Sequence, residues 1–315
     1  MTPRPGLTRI PQTLRWGIVL AVATAVISGF SIFVNAFAVK QLPDPAVYTT
    51  LKNGVAALLL LALAAMSVKP ESVRAVPKRG WGWLAAIGVI GGSVPFLLFF
   101  TGLAQASAPS AAFIHKTLFV WVALLAVPFL GERLGKAQIG ALLVLLASQL
   151  LIVPPAGITW GTGETLIAAA TLLWALETIV ARRVLRTVPS GVVGAARLGV
   201  GLVVLVGYLA VTGKLATIAT LTSGQLGWAL LTGAILSAYV GTWFAALQRA
   251  PASLVTAILV LGAPITAGLQ ALQGGAIPAT PALVGHGLIL VAGAALVMPA
   301  LRRWQTAAIP AGVTA

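Results

Sequence analysis

The chain has 315 residues, of which 59% are hydrophobic and only 8% charged, with a formal net charge of +15. Soluble domains carry about 25% charged residues, so a water-soluble globule of this size would lack the polar surface it needs. Cysteine is absent, which excludes disulfides, thiolate metal sites and cysteine nucleophiles.

The apolar residues fall into runs of roughly 20, the length that crosses about 30 Å of hydrocarbon. In chain order the runs predict ten membrane-spanning helices, over 16–39, 46–67, 81–104, 108–130, 136–153, 163–181, 191–212, 224–247, 252–273 and 282–301. The first follows Arg4, Arg9 and Arg15; its length marks it as a span and not a cleaved secretory signal. Prolines such as Pro45, Pro77, Pro109, Pro154, Pro155, Pro189 and Pro251 fall at the joints, where a missing N–H leaves no buried group unpaired.

Lys and Arg cluster between the runs. With the N-terminus in the cytoplasm, the inner segments hold Arg4, Arg9, Arg15, Lys69, Arg74, Lys78, Arg79, Arg133, Lys136, Arg182, Arg183, Arg186, Arg249, Arg302 and Arg303. The outer loops hold only Lys40 and Lys214, while Lys52, Lys116 and Arg197 lie inside spans. This asymmetry puts both termini in the cytoplasm. It accounts for the basic charge through orientation in a cell membrane, with the lipid bilayer as partner and no nucleic acid expected.

The two halves align without a gap at an offset of 145 residues. Lys52 and Gly54 fall on Arg197 and Gly199, Trp83 on Trp228, Gly88 on Gly233, Phe99 on Phe244 and Gly140 on Gly285. Five spans per unit is an odd number, so the second unit enters the membrane from the opposite side. The fold class expected is therefore an all-α membrane protein of ten helices in two inverted five-helix repeats. A cytoplasmic segment over 1–15 precedes the first repeat (16–153), and a tail over 302–315 follows the second (163–301). Inverted repeats of this kind are used by secondary transporters, which open a central site alternately to each side.

The stretch Phe129-Leu130-Gly131-Glu132-Arg133-Leu134, followed by Gln138-Ile139-Gly140-Ala141, resembles the junction of the fourth and fifth helices in the EamA branch of the drug/metabolite transporter superfamily. Leu173-Trp174-Ala175-Leu176, with Ala196-Arg197-Leu198 after it, resembles that family's opening of the second repeat. The resemblance implies ten helices around a central polar cavity and ATP-independent transport of metabolites, amino acids or drugs. It further implies that the fourth and ninth helices line the cavity, where anion-carrying relatives place basic residues. The chain departs from the pattern in having Ile277 at the repeat position of Glu132, Phe119 where the fourth helix often has proline (Pro264 keeps it in the ninth), and Lys52 for an arginine.

An ionisable residue in a span costs several kcal/mol unless paired or hydrated. Glu177 and Arg197 lie at matching depth in consecutive spans, which fits either a structural ion pair or a substrate or coupling role for Glu177. Lys52 either snorkels to the outer interface or joins Asn35 and Asn53 in a polar pocket. Lys116, in His115-Lys116-Thr117, lies about two turns inside the fourth run; it either faces substrate as a counter-charge or pairs with a carbonyl. His115 points about 100° away from it, and the sequence leaves open which of the two faces the centre. Trp174, Tyr239, Trp243 and Gln270 are candidate cavity-lining residues or packing, and His286 reads as interfacial.

The expected function is a secondary transporter, exporter or exchanger of a small polar metabolite, amino acid or drug, with an organic anion or zwitterion favoured. A channel or scaffold is the alternative. Five acids, two histidines and no HExxH-like pair make an intramembrane enzyme a poor fit. No cofactor or metal is expected, and a monomer and a homodimer both fit.

Overall fold

The computed structural model describes residues 12–153, 160–274 and 277–308. They form α1 (Gln12–Gln41), α2 (Pro45–Ser67), α3 (Pro70–Arg74), α4 (Lys78–Gly92), α5 (Val94–Leu103), α6 (Ala108–Lys116), α7 (Leu118–Leu130), α8 (Lys136–Ile152), α9 (Thr162–Val184), α10 (Ser190–Val211), α11 (Ala216–Ala219), α12 (Ser223–Arg249), α13 (Ala252–Leu259), α14 (Gly262–Gly274) and α15 (Thr280–Ala308). Among the described residues nine helical stretches are long and apolar enough to cross a membrane, and the 17-residue α8 is a shorter apolar helix. Arg4, Arg9, Pro154, Pro155 and the tail from 309 onward lie outside the described residues.

The apolar runs end about where the sequence predicts, but three of them are not continuous helices. The third divides at Ser93 (φ −138°, ψ −71°) into α4 and α5. Pro95 is the cause: it has no N–H to give the Gly91 carbonyl one turn back. The ninth divides into α13 and α14 around Val260 and Leu261, where Pro264 likewise cannot donate to the Val260 carbonyl. The fourth divides at Thr117, whose hydroxyl donates back to the Ile114 carbonyl at 2.6 Å. At the 145-residue offset Lys116 and Thr117 fall on Leu261 and Gly262, so the fourth and ninth runs break at the same place in each half.

Helix packing follows the same exchange. α1 packs on α12 as α9 packs on α4 and α5; α1 meets α13 and α14 as α9 meets α6 and α7; α2 packs on α12 as α10 packs on α4. Single contacts obey it too. A Cβ on Gly233 would stand 2.6 Å from Cβ of Val55, and a Cβ on Gly88 would collide with Val200, the residue 145 positions after Val55. Glycine at these crossings lets the helices of the two halves approach closely.

Helix ends are tied across the halves by the few acids available. The Glu132 carboxylate accepts from the backbone N–H of Ala252 (2.6 Å) and Ser253 (3.1 Å) at the start of α13, and from the Ser253 hydroxyl. Gln138 donates to the same hydroxyl at 3.0 Å. Glu164 accepts from the N–H of Ser107, before α6, at 3.2 Å and from that of Gly161 at 3.0 Å. Ser107 and Ala252 are again 145 residues apart, so the equivalent helices α6 and α13 both start on a carboxylate supplied by the opposite half, as orphan N-terminal donors require.

Asp44 caps α2 through the N–H groups of Ala46 and Val47, and its other oxygen accepts from Lys214 Nζ at 2.7 Å. Burial pushes the Asp44 carboxyl up, but the Lys214 and backbone hydrogen bonds outweigh it and hold the group below its ordinary 3.8. The same hydrogen bond holds Lys214 above 10.5. Asp44→Ala is expected to cost about 1 kcal/mol near neutrality through the lost cap, the half-exposed ion pair adding only a few tenths. A carboxyl with a depressed pKa contributes fully above its unfolded value of 3.8, and the contribution is lost as pH falls below it. Thermal melts of wild type and Asp44→Ala should therefore differ near neutrality and converge in strong acid.

Candidate functional site

Of the four buried charged side chains among the described residues, three meet between the halves, while Glu164 lies at the start of α9. Glu177 of α9 is 1% exposed, and Lys52 of α2 and Arg197 of α10 are each 5% exposed. Glu177 Oε1 lies 3.6 Å from Arg197 Nε, an ion pair without hydrogen-bond geometry; Glu177 Oε1 and Arg197 Nε and Nη1 have no hydrogen-bond partner. The Arg197 guanidinium instead lies 6.0 Å from the Phe96 ring centroid and 5.8 Å from that of Phe244, within the range of cation–π attraction.

Lys52 does not reach the outer interface. Its ammonium donates to Asn35 Oδ1 at 3.2 Å and sits 5.1, 5.7 and 5.4 Å from the rings of Tyr48, Phe96 and Phe100. Snorkelling fails because Asn35, one turn above Ser31 on α1, is held in place by donating to the Ser31 carbonyl (2.6 Å) and hydroxyl (3.1 Å). The Tyr48 hydroxyl donates to the same Asn35 oxygen at 2.5 Å. Phe96 thus carries two cations, Lys52 and Arg197, which are repeat equivalents.

The break at Ser93 makes this arrangement possible. It leaves carbonyls at the end of α4 open, and two candidate residues fill them: Trp174 Nε1 donates to Gly91 O at 3.1 Å, and Asn53 Nδ2 to Gly92 O at 3.2 Å. Gly91 has no room for a side chain, since a Cβ there would run into Glu177, and a Cβ on Gly92 would run into the Arg197 carbonyl. Pro95 and the Gly91-Gly92 pair were therefore the sequence signal for the site's floor, masked by reading the run as one helix.

His115, at the end of α6, packs its ring 5.1 Å from Phe99 and 5.2 Å from Trp174; Trp174 also meets Phe96 at 5.3 Å. This connects His115 to the charged group through a chain of rings. Tyr239 stacks on Trp243 at 6.1 Å on α12, and its hydroxyl lies within the electrostatic reach of Arg197 and Glu177. Lys116 is half-buried at the break between α6 and α7. Among the described residues no hydrogen bond, ion pair or ring contact joins it to Lys52, Glu177 or Arg197. Gln270 is exposed on α14 and stands apart from the group.

A groove of about 370 Å³ between α7 and α8 is lined by apolar side chains such as Leu124, Val127 and Leu143. A second, of about 360 Å³, lies where α4 begins and α9 ends. Neither reaches the charged group, which this conformation closes off. No cluster of three His, Cys, Asp or Glu suited to a metal ion occurs among the described residues.

Removing one member of a buried pair strands the other, at a cost of about 3–5 kcal/mol. Glu177→Leu is expected to lower thermal stability by an amount in that range, and the double substitution Glu177→Leu with Arg197→Met by clearly less, as read from unfolding of the purified variants in detergent.

The fold is shared with a solved structure described only as "Crystal structure of protein", at 18% identity and a TM-score of 0.70, covering 90% of this chain and 98% of that one. No curated protein sequence matches the chain. The model of the EamA-like transporter family matches it twice, over residues 15–153 and 161–298. With both halves of an all-helical membrane protein matched in this way, the chain belongs to the EamA-like transporter family.

Proposed function

We propose that the chain is a secondary transporter that moves a small polar metabolite, amino acid or drug by alternating access, with an organic anion or zwitterion favoured. In this reading ten helices form two inverted five-helix units, over 16–153 and 163–301. The flanking segments 1–15 and 302–315 face the cytoplasm of a plasma membrane. Support for the inverted pairing comes from the exchanged helix contacts, the matched breaks at Lys116-Thr117 and Leu261-Gly262, and the distribution of Lys and Arg. Discontinuous helices at equivalent positions are where transporters of this type build their sites.

One observation carries the charge preference. Two buried cations share the Phe96 ring, and the one carboxylate that forms an ion pair with either of them among the described residues is Glu177. An uncompensated cation in the bilayer interior costs several kcal/mol, which an anionic substrate group offsets. Lys52 and Arg197 are the counter-charges, with Lys116 at the helix break as a third. Trp174, Tyr239, Trp243 and His115 supply an aromatic wall, while Asn35 and Asn53 orient polar groups. Gln270 keeps a role only if α14 turns inward in another conformation.

Solute counterflow in proteoliposomes, screened over organic anions, amino acids and neutral drugs, tests the reading. Lys52→Ala and Lys116→Ala are each expected to cut counterflow of an anionic solute by at least about tenfold, the equivalent of 1.4 kcal/mol; Lys116→Ala should keep thermal stability close to wild type, whereas Lys52→Ala also loses the Asn35 hydrogen bond and ring contacts and should melt lower. Normal kinetics in either variant would remove that residue from the site.

A further inference from the structure

The groove of about 360 Å³ where α4 begins and α9 ends lies outside the charged group and has a composition of its own. Its lining includes Arg79, Trp83, Arg183, Thr187, Val180 and Val184, and no lining residue is acidic. Its polar and apolar members are interleaved: Arg183 lies between Val180 and Val184 on α9, and the apolar Pro77 and Val188 adjoin Arg79 and Thr187. Arg79 lies in the first turn of α4 and Thr187 just past the end of α9, so both are at the mouth. Trp83 is one turn further into α4, and Val184 and Val180 are successively further back along α9. The groove therefore sets two guanidinium groups and a hydroxyl beside an apolar wall that includes Trp83, Val180 and Val184.

Its cations are not spent on other acids. Arg183 donates through Nε and Nη2 to the Phe129 carbonyl, which fixes the guanidinium without neutralising it. Arg79 is exposed and makes no hydrogen bond or ion pair among the described residues. Trp83 is 44% exposed beside them, as expected of an indole at headgroup level. No side chain caps the start of α4, which adds the positive end of a helix to the same mouth.

From this combination of basic and apolar lining we infer that the groove is a binding site for one anionic phospholipid: the phosphate between Arg79, Arg183 and Thr187, and an acyl chain along Trp83, Val184 and Val180. Basic pockets between helices at the cytoplasmic face hold such headgroups. Here the lipid would bridge the start of α4 in the first half and the end of α9 in the second. The inference stands apart from the proposed transport reading, since lipid binding is measurable without any substrate.

The test uses purified full-length protein in a mild non-ionic detergent, melted with added dioleoyl phosphatidylglycerol, dioleoyl phosphatidylcholine or inorganic phosphate. Phosphatidylglycerol is expected to raise the melting temperature saturably, and the other two to leave it unchanged. Arg79→Gln should weaken that response about fivefold, the weight of one basic residue against an anionic surface. Arg74→Gln, on α3 outside the groove, should leave it intact. Should Arg79→Gln not yield folded protein, native mass spectrometry of the unaltered protein decides, by retention of one phosphatidylglycerol in preference to phosphatidylcholine. Equal responses to the two lipids, a full response in Arg79→Gln, or a shift produced by phosphate alone would each overturn the assignment.

Discussion

Everything in this fold is arranged around the cost of keeping Lys52, Arg197 and Glu177 away from water. Charges at this depth are tolerated only where helices enclose them and aromatic faces, carbonyls or opposite charges stand in for solvent. Here the enclosure takes helices from both halves: α2, α4, α5, α9, α10 and α12. Neither half could hold the group alone, because Lys52 and Phe96 come from the first and Glu177 and Arg197 from the second. The group therefore exists only where the two halves meet.

The economy of acids sharpens the point. The chain has five. Asp44 caps α2, Glu132 caps α13, Glu164 holds the starts of α6 and α9, and Glu71 lies in the first turn of the exposed α3. Glu177 alone stands beside the buried cations. Its geometry toward Arg197 is loose, a 3.6 Å approach with unpaired atoms on both sides, whereas the caps are well formed. Tight carboxylates sit at the ends of helices and the loose one at the centre.

Much of this was legible in the sequence because membrane constraints are blunt. Run length and composition give the spans, and the offset of 145 residues gives the matched halves; it reaches down to the Gly88–Val200 and Gly233–Val55 contacts. Equal depth along neighbouring helices gave the Glu177–Arg197 pair. What the sequence hid were the breaks. Pro95 and Pro264 sit inside strongly apolar runs, so hydropathy carries through them although their missing N–H groups free a carbonyl. The Thr117 break has no proline in the following turn to announce it. Lys52 was ambiguous for another reason: only the fold brings Asn35, Tyr48 and Phe100 around one ammonium. Nor does the local sequence say that Glu132 reaches α13, a helix 120 positions further on.

Because the chain has no cysteine, a single cysteine in place of Asn35, beside Lys52, reports on that position alone. Labelling with a membrane-impermeant thiol reagent, applied separately to sealed vesicles of each orientation, asks whether the space between the halves opens both ways. Two opposed halves around one charged centre predict reaction from either face, slowed when a transported anion is present. Reaction from one face only, whatever the solute, would contradict alternating access to this centre.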